Sequence, residues 1–346
     1  MGKMIKVRLN ELGEIITGNT PSKKNKEYYD SNDIPFVKPD DLIDYKITSL
    51  KSSKEFISNA AESKARILKK GSVLFTCIGI IGKVGIIDCD KAAFNQQINA
   101  IVPNDKINNR YLAYCLMYNK NWIKEIANAP VVPIISKSQF EGIEILIDPN
   151  LETQHKIVQV LDKAQSLIDK RKEQIKQCDE LIQSLFYEMF GSPVLNTKSF
   201  QKQELKNIAE IILGQSPSSR SYNTEGIGIP FFQGSAEFGD KYPTVVKWTT
   251  EPKKIAQKND ILISVRAPVG DVNIANIDCC IGRGLAAIRP SNKIIYRDYL
   301  FYYLKATSQI IFESKKAGST FDSITGKNLG STPILIPPLE QQKEFV

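Results

Sequence analysis

Histidine is nearly absent from this sequence, and its scarcity removes much of the chemistry that enzymes use. The 346 residues include one histidine, His155, and six cysteines that form no C-x-x-C pair. Ser-His-Asp or Cys-His catalysis would have to use His155, whose charged, helix-forming surroundings predict a solvated face instead. Zinc sites need Cys and His ligands at fixed spacings, which this sequence does not offer. We therefore expect no catalytic site and no metal site, and we expect the thiols to be reduced core residues.

Long hydrophobic runs are absent as well. The most apolar stretch, from Val73 to Ile87, is interrupted by Lys83 and is shorter than the roughly 20 residues that cross a bilayer. The first residues become polar before the apolar core of a signal peptide could form, and Lys6 stands where a myristoylation site needs Ser or Thr. These absences predict a cytoplasmic protein that does not contact membranes.

The charge balance is basic, with 46 Lys and Arg against 38 Asp and Glu. The formal net charge of +8 attracts a polyanion such as nucleic acid, or lowers self-association by repulsion. The length, with a hydrophobic content of 42%, allows two domains of ordinary size. Composition alone leaves the function open.

An internal repeat is the most informative feature of the sequence. The segment L-N-E-L-G-E-I-I-T-G-N-T-P-S from Leu9 returns as L-K-N-I-A-E-I-I-L-G-Q-S-P-S from Leu205. Further anchors return in the same order: I-P-F at Ile34 and Ile229, Y-L at Tyr111 and Tyr299, and I-L-I at Ile145 and Ile334. Because solenoid repeats span only about 20 to 50 residues, this longer period indicates a duplicated domain.

Each copy alternates short apolar runs with turn residues, as in V-L-F-T-C-I-G from Val73 and I-L-I-S-V-R from Ile261. This pattern predicts an α+β fold with two similar β-rich domains, related by approximate internal two-fold symmetry. We assign residues 1–150 to the first domain and residues 192–338 to the second.

The segment between the copies has a different character. Residues 152–190 contain no Gly or Pro, which predicts one helix, about 50 to 60 Å long, within residues 151–191. Apolar residues recur at the three- and four-residue steps of a coiled coil, interrupted only by Arg171. This seam either packs on its own domain or binds a partner helix through Ile157, Leu161, Ile168, Ile175, Ile182 and Leu185.

The second copy ends in L-E-Q-Q-K-E-F-V, which matches the L-E-T-Q at the start of the long helix. Residues 339–346 are therefore predicted to begin a second helix that is cut short. We expect either the product of a truncated or phase-varied gene, or a chain that borrows a helix by forming a homodimer. A monomer would expose the apolar seam to solvent.

Each enzyme signature in the sequence fails on its context. The G-x-G-x-x-A match in the second copy precedes a proline where a dinucleotide site needs a helix. Pro337-Pro338 lacks the flanking polar and aromatic residues with which an adenine methyltransferase holds a flipped base. Asp40 and Glu62 resemble part of a magnesium site, but the second copy has Ser235 in place of Asp40. A self-contained methyltransferase or nuclease is thus a disfavoured alternative.

The polar and basic residues of the turns favour DNA binding without catalysis. In both copies a Gly-x-Thr/Ser-Pro-Ser turn leads into a polar or basic stretch, and hydroxyls and cations suit phosphate contacts. Lys, Arg, Asn and Gln can read base edges in the major groove. The candidates differ between copies while the apolar framework repeats, as two readers of different half-sites would require. They are Ser22, Lys23, Lys24, Lys38, Lys83, Asn95, Gln96 and Gln97 in copy one, and Ser218, Ser219, Arg220, Gln233, Arg266, Arg283, Ser319 and Thr320 in copy two.

Several longer motifs accompany these candidates: G-N-T-P-S and G-Q-S-P-S, F-N-Q-Q-I-N-A-I from Phe94, I-S-V-R-A-P-V-G-D-V from Ile263, G-S-T-F from Gly318, and I-L-I-P-P-L-E-Q-Q from Ile334. With them the chain resembles the specificity subunits of Type I restriction-modification systems over nearly its whole length. The resemblance implies two target-recognition domains, each reading one half of a bipartite DNA site, and helices that set the unread spacer. Inserting one heptad after Ala164 is then expected to lengthen the spacer.

The resemblance also implies partners for the chain. Modification subunits that carry S-adenosylmethionine would bind along the helices and methylate adenines, and a restriction subunit using ATP and Mg²⁺ could join them to cut DNA. The chain itself would hold no cofactor and would be no enzyme. The specificity module of a Type IIB or IIG enzyme is the alternative within DNA binding, and a structural coiled-coil scaffold is a third reading.

Overall fold

The computed structural model describes residues 4–127, 132–316 and 323–345. These residues fall into two compact units, which divide between Arg171 and Lys172. The division lies inside a long helix, so each unit contains one part of that helix. Among the described residues, no helix combines the length and the apolar character that crossing a membrane requires.

Unit 1 is built mainly from short strands rich in β-branched and aromatic residues, which favour extended backbone. Its elements are β1 (Ile5–Arg8), α1 (Leu9–Leu12), β2 (Gly13–Thr17), β3 (Ile34–Val37), β4 (Ile47–Leu50), β5 (Phe56–Ile57), β6 (Ile67–Lys69), β7 (Val73–Thr76), β8 (Val84–Ile87), β9 (Lys91–Phe94), β10 (Ile98–Pro103), α2 (Asn109–Tyr118), α3 (Lys120–Glu125), α4 (Lys137–Glu141), β11 (Glu144–Ile147) and the start of α5 (Leu151–Phe190). Short 3₁₀ helices span Lys26–Tyr29, Pro39–Asp41 and Asn59–Lys64.

The strands of unit 1 pair in the orders β1-β11, β2-β10-β7-β8-β4 and β5-β3-β9-β6. Strand β7 is buried on both faces. Val73 and Phe75 belong to one core cluster with Leu112 of α2, whereas Leu74 belongs to a second cluster with Phe94 of β9. The sheet that contains β7 therefore forms a middle layer between helices and the sheet of β9.

Unit 2 repeats this arrangement. Its elements are the end of α5, then β12 (Gln201–Glu204), α6 (Leu205–Ile208), β13 (Ala209–Leu213), β14 (Tyr222–Asn223), β15 (Ile229–Phe232), β16 (Trp248–Thr249), β17 (Ile255–Ala256), β18 (Ile261–Ser264), β19 (Val272–Ile274), β20 (Cys279–Ile281), β21 (Leu285–Pro290), α7 (Arg297–Lys316), α8 (Gly326–Gly330), β22 (Pro333–Ile336) and α9 (Leu339–Phe345), with 3₁₀ helices at Ser219–Ser221 and Ser235–Glu237. The strands pair in the orders β12-β22, β13-β21-β18-β19 and β14-β16-β15-β20-β17.

Equivalent strands pair in the same register in the two units. Strand β1 runs antiparallel to β11 with Ile5 opposite Ile147, and β12 runs antiparallel to β22 with Gln201 opposite Ile336. Unit 1 adds β4, which pairs parallel to β8. The predicted fold class, an α+β protein with two similar β-rich domains and a long connecting helix, is confirmed.

Helix α5 is continuous from Leu151 to Phe190, inside the range in which one helix was predicted. Its first part is fixed to unit 1, where Val158 lies in the core and Asp162 pairs with Arg110 at 2.6 Å. Its last part is fixed to unit 2, where Phe186 and Phe190 are buried. Every residue from 170 to 178 is exposed.

The predicted seam of α5 faces solvent over much of its length. The exposed fractions are 37% for Leu161, 50% for Ile168 and Ile175, and 41% for Leu185, while Ile157 and Ile182 are half-buried. Within each unit, the helix packs mainly through residues beside the seam, such as Val158 and Phe186, although Ile157 of the seam also contacts the core of unit 1. The seam remains a predicted partner surface.

A buried glutamine fixes the first turn of a helix in each unit. Gln154 donates to Asp148 O at 2.8 Å and accepts from Asn108 N at 2.8 Å. Likewise Gln342 donates to Pro337 O at 2.8 Å and accepts from Tyr296 N at 2.8 Å. The start of α9 therefore makes the same contacts in unit 2 that the start of α5 makes in unit 1.

The prediction that all cysteines are core residues is wrong for Cys178, which is exposed on α5. It lies in the stretch of α5 from residue 170 to residue 178, where every residue is exposed. Cys77, Cys279 and Cys280 are buried, as expected, and Cys89 and Cys115 are partly buried. His155 is exposed on α5, which agrees with the solvated face predicted for it.

Unit 1 leaves open a groove whose counterpart in unit 2 is filled. Leu146 and Leu335 are the middle residues of the repeated I-L-I strands, yet Leu146 is 56% exposed and Leu335 is 2% exposed. Leu335 shares a core cluster with Phe186 and Phe190 of α5. In unit 1 the corresponding groove, of about 600 Å³, is lined by Leu146 together with residues of α2, α3 and α5.

Candidate nucleic-acid interface

Four loops meet in unit 1 and contain all the candidate DNA-binding residues of the first copy. We call them loop cluster 1: residues 18–26, 37–41, 76–84 and 94–97. The loop at 94–97 lies at the centre, because it bonds to each of the others through the backbone. These bonds are Gly18 N to Ile98 O (3.1 Å), Asn19 N to Phe94 O (3.0 Å), Asn95 N to Val37 O (3.1 Å) and Cys77 N to Gln97 O (2.7 Å).

Unit 2 contains the same cluster with different side chains. Loop cluster 2 comprises residues 214–220, 232–237, 264–271 and 281–284. Its backbone bonds repeat those of loop cluster 1: Gly214 N to Leu285 O (2.9 Å), Gln215 N to Ile281 O (2.9 Å), Gly282 N to Phe232 O (2.8 Å) and Val265 N to Gly284 O (2.8 Å). The same four backbone hydrogen bonds therefore hold both clusters, although their side chains differ.

Close backbone approach requires glycine at the start of each Pro-Ser turn. A Cβ at Gly18 would lie 2.2 Å from Asn95 O, and a Cβ at Gly214 would lie 2.1 Å from Gly282 O. Both distances are far below van der Waals contact with a backbone atom that cannot swing away. The two glycines therefore hold the turn against the central loop.

Replacing Gly214 with alanine is expected to destabilise unit 2 by about 1–3 kcal/mol, because the new methyl group forces the turn away from Gly282. Urea unfolding is followed through Trp248 in a Trp122→Phe background, which leaves Trp248 as the single tryptophan. The matched control is Gly234→Ala, in the same cluster, where backbone is extended (φ −162°) and an added Cβ meets no atom within 4 Å. Equal unfolding midpoints for the two variants would contradict the packing argument.

Most of the candidate side chains are exposed and lie together in their clusters. In loop cluster 1 these are Ser22, Lys23, Lys24 and Gln96; in loop cluster 2 they are Ser218, Ser219, Arg220, Gln233, Arg266 and Arg283. Ser319 and Thr320 lie outside the described residues. The structure thus brings residues that are far apart in the sequence onto the same set of loops.

Two candidate lysines of loop cluster 1 are occupied by other groups. The ammonium group of Lys38 pairs with Glu55, and that of Lys83 donates to Pro39 O at 2.9 Å. Both side chains are only half-exposed. In this conformation both ammonium groups bond to other groups of unit 1.

Two candidate amides of loop cluster 1 bond to each other. Asn95 is 5% exposed, and its Nδ2 donates to Gln97 Oε1 at 2.8 Å while its Oδ1 accepts from Gln97 N at 3.1 Å. Asn95 therefore shapes the central turn and is not available to a base here. Gln97 is half-buried for the same reason.

The sequence did not single out Thr20, which contacts the tip of the central loop. Its hydroxyl donates to Gln96 Oε1 at 2.7 Å. The equivalent Ser216 accepts from Arg283 N at 3.2 Å through its Oγ. A signal was present, because a hydroxyl residue occupies this position of the Gly-x-Thr/Ser-Pro-Ser turn in both copies.

The clusters present hydrogen-bonding and charged groups rather than reactive ones. Burial raises the pKa of Cys77, in loop cluster 1, to about 12. In β20, which leads into loop cluster 2, burial together with the charge of neighbouring groups also raises the pKa of Cys279 to about 12. Both thiols are therefore protonated at neutral pH and are poor nucleophiles. Within the described part of the chain, His, Cys, Asp and Glu do not gather in threes as metal ligands would.

Comparison with known proteins places this geometry in a family. The profile of the Type I restriction modification DNA specificity domain matches residues 1–177 and 197–346. The chain is similar to the type I restriction enzyme MjaX specificity subunit of Methanocaldococcus jannaschii, with 37% identity over 97% of this chain and 83% of that protein.

Solved structures agree with this similarity. A chain from a structural study of complex assembly and conformational transition in the type I R-M system is 30% identical and superposes with a TM-score of 0.50, over 99% of this chain and 88% of that chain. The S subunit of a type I system from M. genitalium shares the fold, with a TM-score of 0.60 at 16% identity, over 99% of this chain and 87% of that chain. The chain therefore belongs to the family of DNA specificity subunits of Type I restriction-modification systems.

Proposed function

We propose that this chain selects the bipartite DNA sequence on which a Type I complex acts, with each loop cluster reading one half-site in the major groove. One observation carries the proposal: the two clusters share the same backbone hydrogen bonds but present different exposed side chains. A fixed backbone with variable polar and cationic tips is what direct base readout needs. The net charge of +8 supports binding to a polyanion.

The long helix is proposed to do two further tasks. First, α5 sets the unread spacer between the half-sites through its length. Second, its exposed seam, which includes Leu161, Ile168 and Ile175, docks modification subunits that methylate adenines. Aliphatic side chains in solvent at coiled-coil spacing are typical of a helix partner surface. S-adenosylmethionine would then belong to the modification subunits, and ATP with Mg²⁺ to a restriction subunit.

Methylome sequencing tests the proposal directly. Cells that express this chain together with the modification subunit encoded beside it are expected to gain a bipartite methyl-adenine motif. Cells that express the modification subunit alone should lack this motif. The chain supplies the specificity, so the motif should depend on its presence and not on the abundance of the partner. If the complex assembles and no motif appears, the proposed function is wrong.

A further inference from the structure

The two loop clusters present different chemistry at equivalent turn tips. Gln96 lies in the turn between β9 and β10, and Arg283 lies in the turn between β20 and β21. Both side chains are exposed. Each turn is closed by the same backbone hydrogen bond, from Ile98 N to Asn95 O (3.2 Å) and from Leu285 N to Gly282 O (3.0 Å). The two tips can therefore be compared residue by residue.

The amide of Gln96 is held in one orientation by its neighbour. The Thr20 hydroxyl donates to Gln96 Oε1 at 2.7 Å, so this oxygen keeps one lone pair free while the two Nε2 hydrogens point away as donors. A donor beside an acceptor matches N7 and the N6 amino group of adenine in the major groove. The tip of loop cluster 1 is thus arranged for an A·T pair.

The tip of loop cluster 2 carries the cation of Arg283 on a turn whose backbone is closely packed. A Cβ at Gly284 would lie 2.6 Å from Gln233 O, and Ser216 Oγ accepts from Arg283 N at 3.2 Å. Arg289 forms salt bridges with two carboxylates, whereas Arg283 forms none with a residue that the structure describes. An unpaired guanidinium offers two parallel donors, which match O6 and N7 of guanine.

The neighbouring loop reinforces the difference. Ile78 and Arg266 occupy equivalent places beside the two tips, since the residue before each donates its backbone N–H to the central turn. Ile78 forms a β-bridge with Ile134, and Arg266 forms one with Ser323. Two aliphatic side chains beside Ile78 are exposed, Ile80 at 53% and Ile134 at 42%. Aliphatic groups suit the thymine methyl of an A·T pair, whereas a second arginine suits guanine.

We propose that Gln96 reads an adenine in one half-site and that Arg283 reads a guanine in the other. Thr20 is a positioning residue for Gln96. This inference rests on the proposed function and deepens it, because it assigns base classes and single residues to the two half-sites.

Reciprocal exchange of the two tips tests the assignment in cells. With the modification subunit present, Arg283→Gln is expected to change one G·C pair of the methylated motif to A·T within one half-site, and to leave the other half-site unchanged. Gln96→Arg is expected to change one A·T pair to G·C in the opposite half-site. Arg8→Gln, on β1 outside both clusters and with its side chain 60% exposed, is the control and should leave the motif unchanged.

Base analogues keep the test decisive when an exchanged variant does not methylate. The purified complex is titrated with duplexes that carry 7-deazaguanine or 7-deazaadenine at one position, which removes only the N7 acceptor. One 7-deazaguanine position is expected to weaken binding of the wild-type complex about tenfold and to have no effect on Arg283→Ala. Likewise, one 7-deazaadenine position is expected to weaken binding of the wild-type complex and to have no effect on Gln96→Ala.

The outcomes separate the inference from the function. If the wild-type chain directs a bipartite motif but methylating exchange variants keep its bases, the tip assignment is overturned while the function stands. Persistence of every deaza effect in both alanine variants overturns it as well. If the wild-type chain directs no motif, the proposed function itself fails.

Discussion

Replacing Phe186 with alanine is expected to destabilise unit 2 by about 3–5 kcal/mol, because it opens a cavity in a cluster of aromatic rings. Phe186 is 2% exposed, and its ring centroid lies 5.1 Å from that of Phe190 and 5.6 Å from those of Tyr299 and Phe345. The end of α5 thus belongs to the core of unit 2. The urea midpoint, read from Trp248 in the Trp122→Phe background, should fall accordingly.

The adjacent ring supplies the control for this prediction. Tyr187 is 47% exposed, so Tyr187→Ala removes an aromatic ring from the same helical turn with a smaller loss of buried area than Phe186→Ala. It is expected to cost less than about 1 kcal/mol. If both variants shift the midpoint equally, loss of helix propensity rather than core packing explains the effect, and the cavity argument is wrong.

The repeat and the long helix could be predicted because both depend on local sequence. The anchors of the repeat are buried strand residues, such as Ile145 and Ile334, and the glycine of each Pro-Ser turn. Such positions tolerate few residue types, so both copies show them. The absence of Gly and Pro and the spacing of apolar residues together predict the helix.

The exposure and the bonding partners of each candidate side chain could not be predicted, because they depend on contacts between segments that are distant in the sequence. Lys38 meets Glu55 across a turn, and Lys83 reaches Pro39 O from another loop. A single sequence does not show which cation will find an internal partner. The burial of Asn95 and the contact of Thr20 with Gln96 also depend on distant segments, so the sequence did not predict them.

The helix seam also needed the structure for its interpretation. Its spacing continues through Leu185 to Met189, but the helix enters the core of unit 2 mainly through Phe186 and Phe190, which lie on an adjacent face. The aromatic content of this last turn was the available signal. Leu161, Ile168 and Ile175 therefore lie on a different face of α5 from its packed residues, and they stay exposed to a partner.

Inserting one heptad into α5 is expected to abolish methylation at the original motif and to create a motif with the same half-sites and a longer spacer. Seven helical residues add about 10 Å, which corresponds to about three base pairs at roughly 3.4 Å each, and they turn the seam by only about 20°. The structure also refines where to insert them. After Ala164, the insertion would separate Asp169 from Lys46, which it contacts at 2.6 Å.

Insertion after Lys172 avoids this cost, because every residue from 170 to 178 is exposed and the anchors of α5 on both sides stay intact. A five-residue insertion at the same place adds about 7 Å but turns the seam by about 140°, at about 100° per residue, so it should disrupt the partner surface and leave no methylation. Methylome sequencing reads both variants beside the wild type. A longer rigid helix should move the two half-sites apart. An unchanged spacer in an active heptad variant would therefore show that the length of α5 does not set the distance between the half-sites.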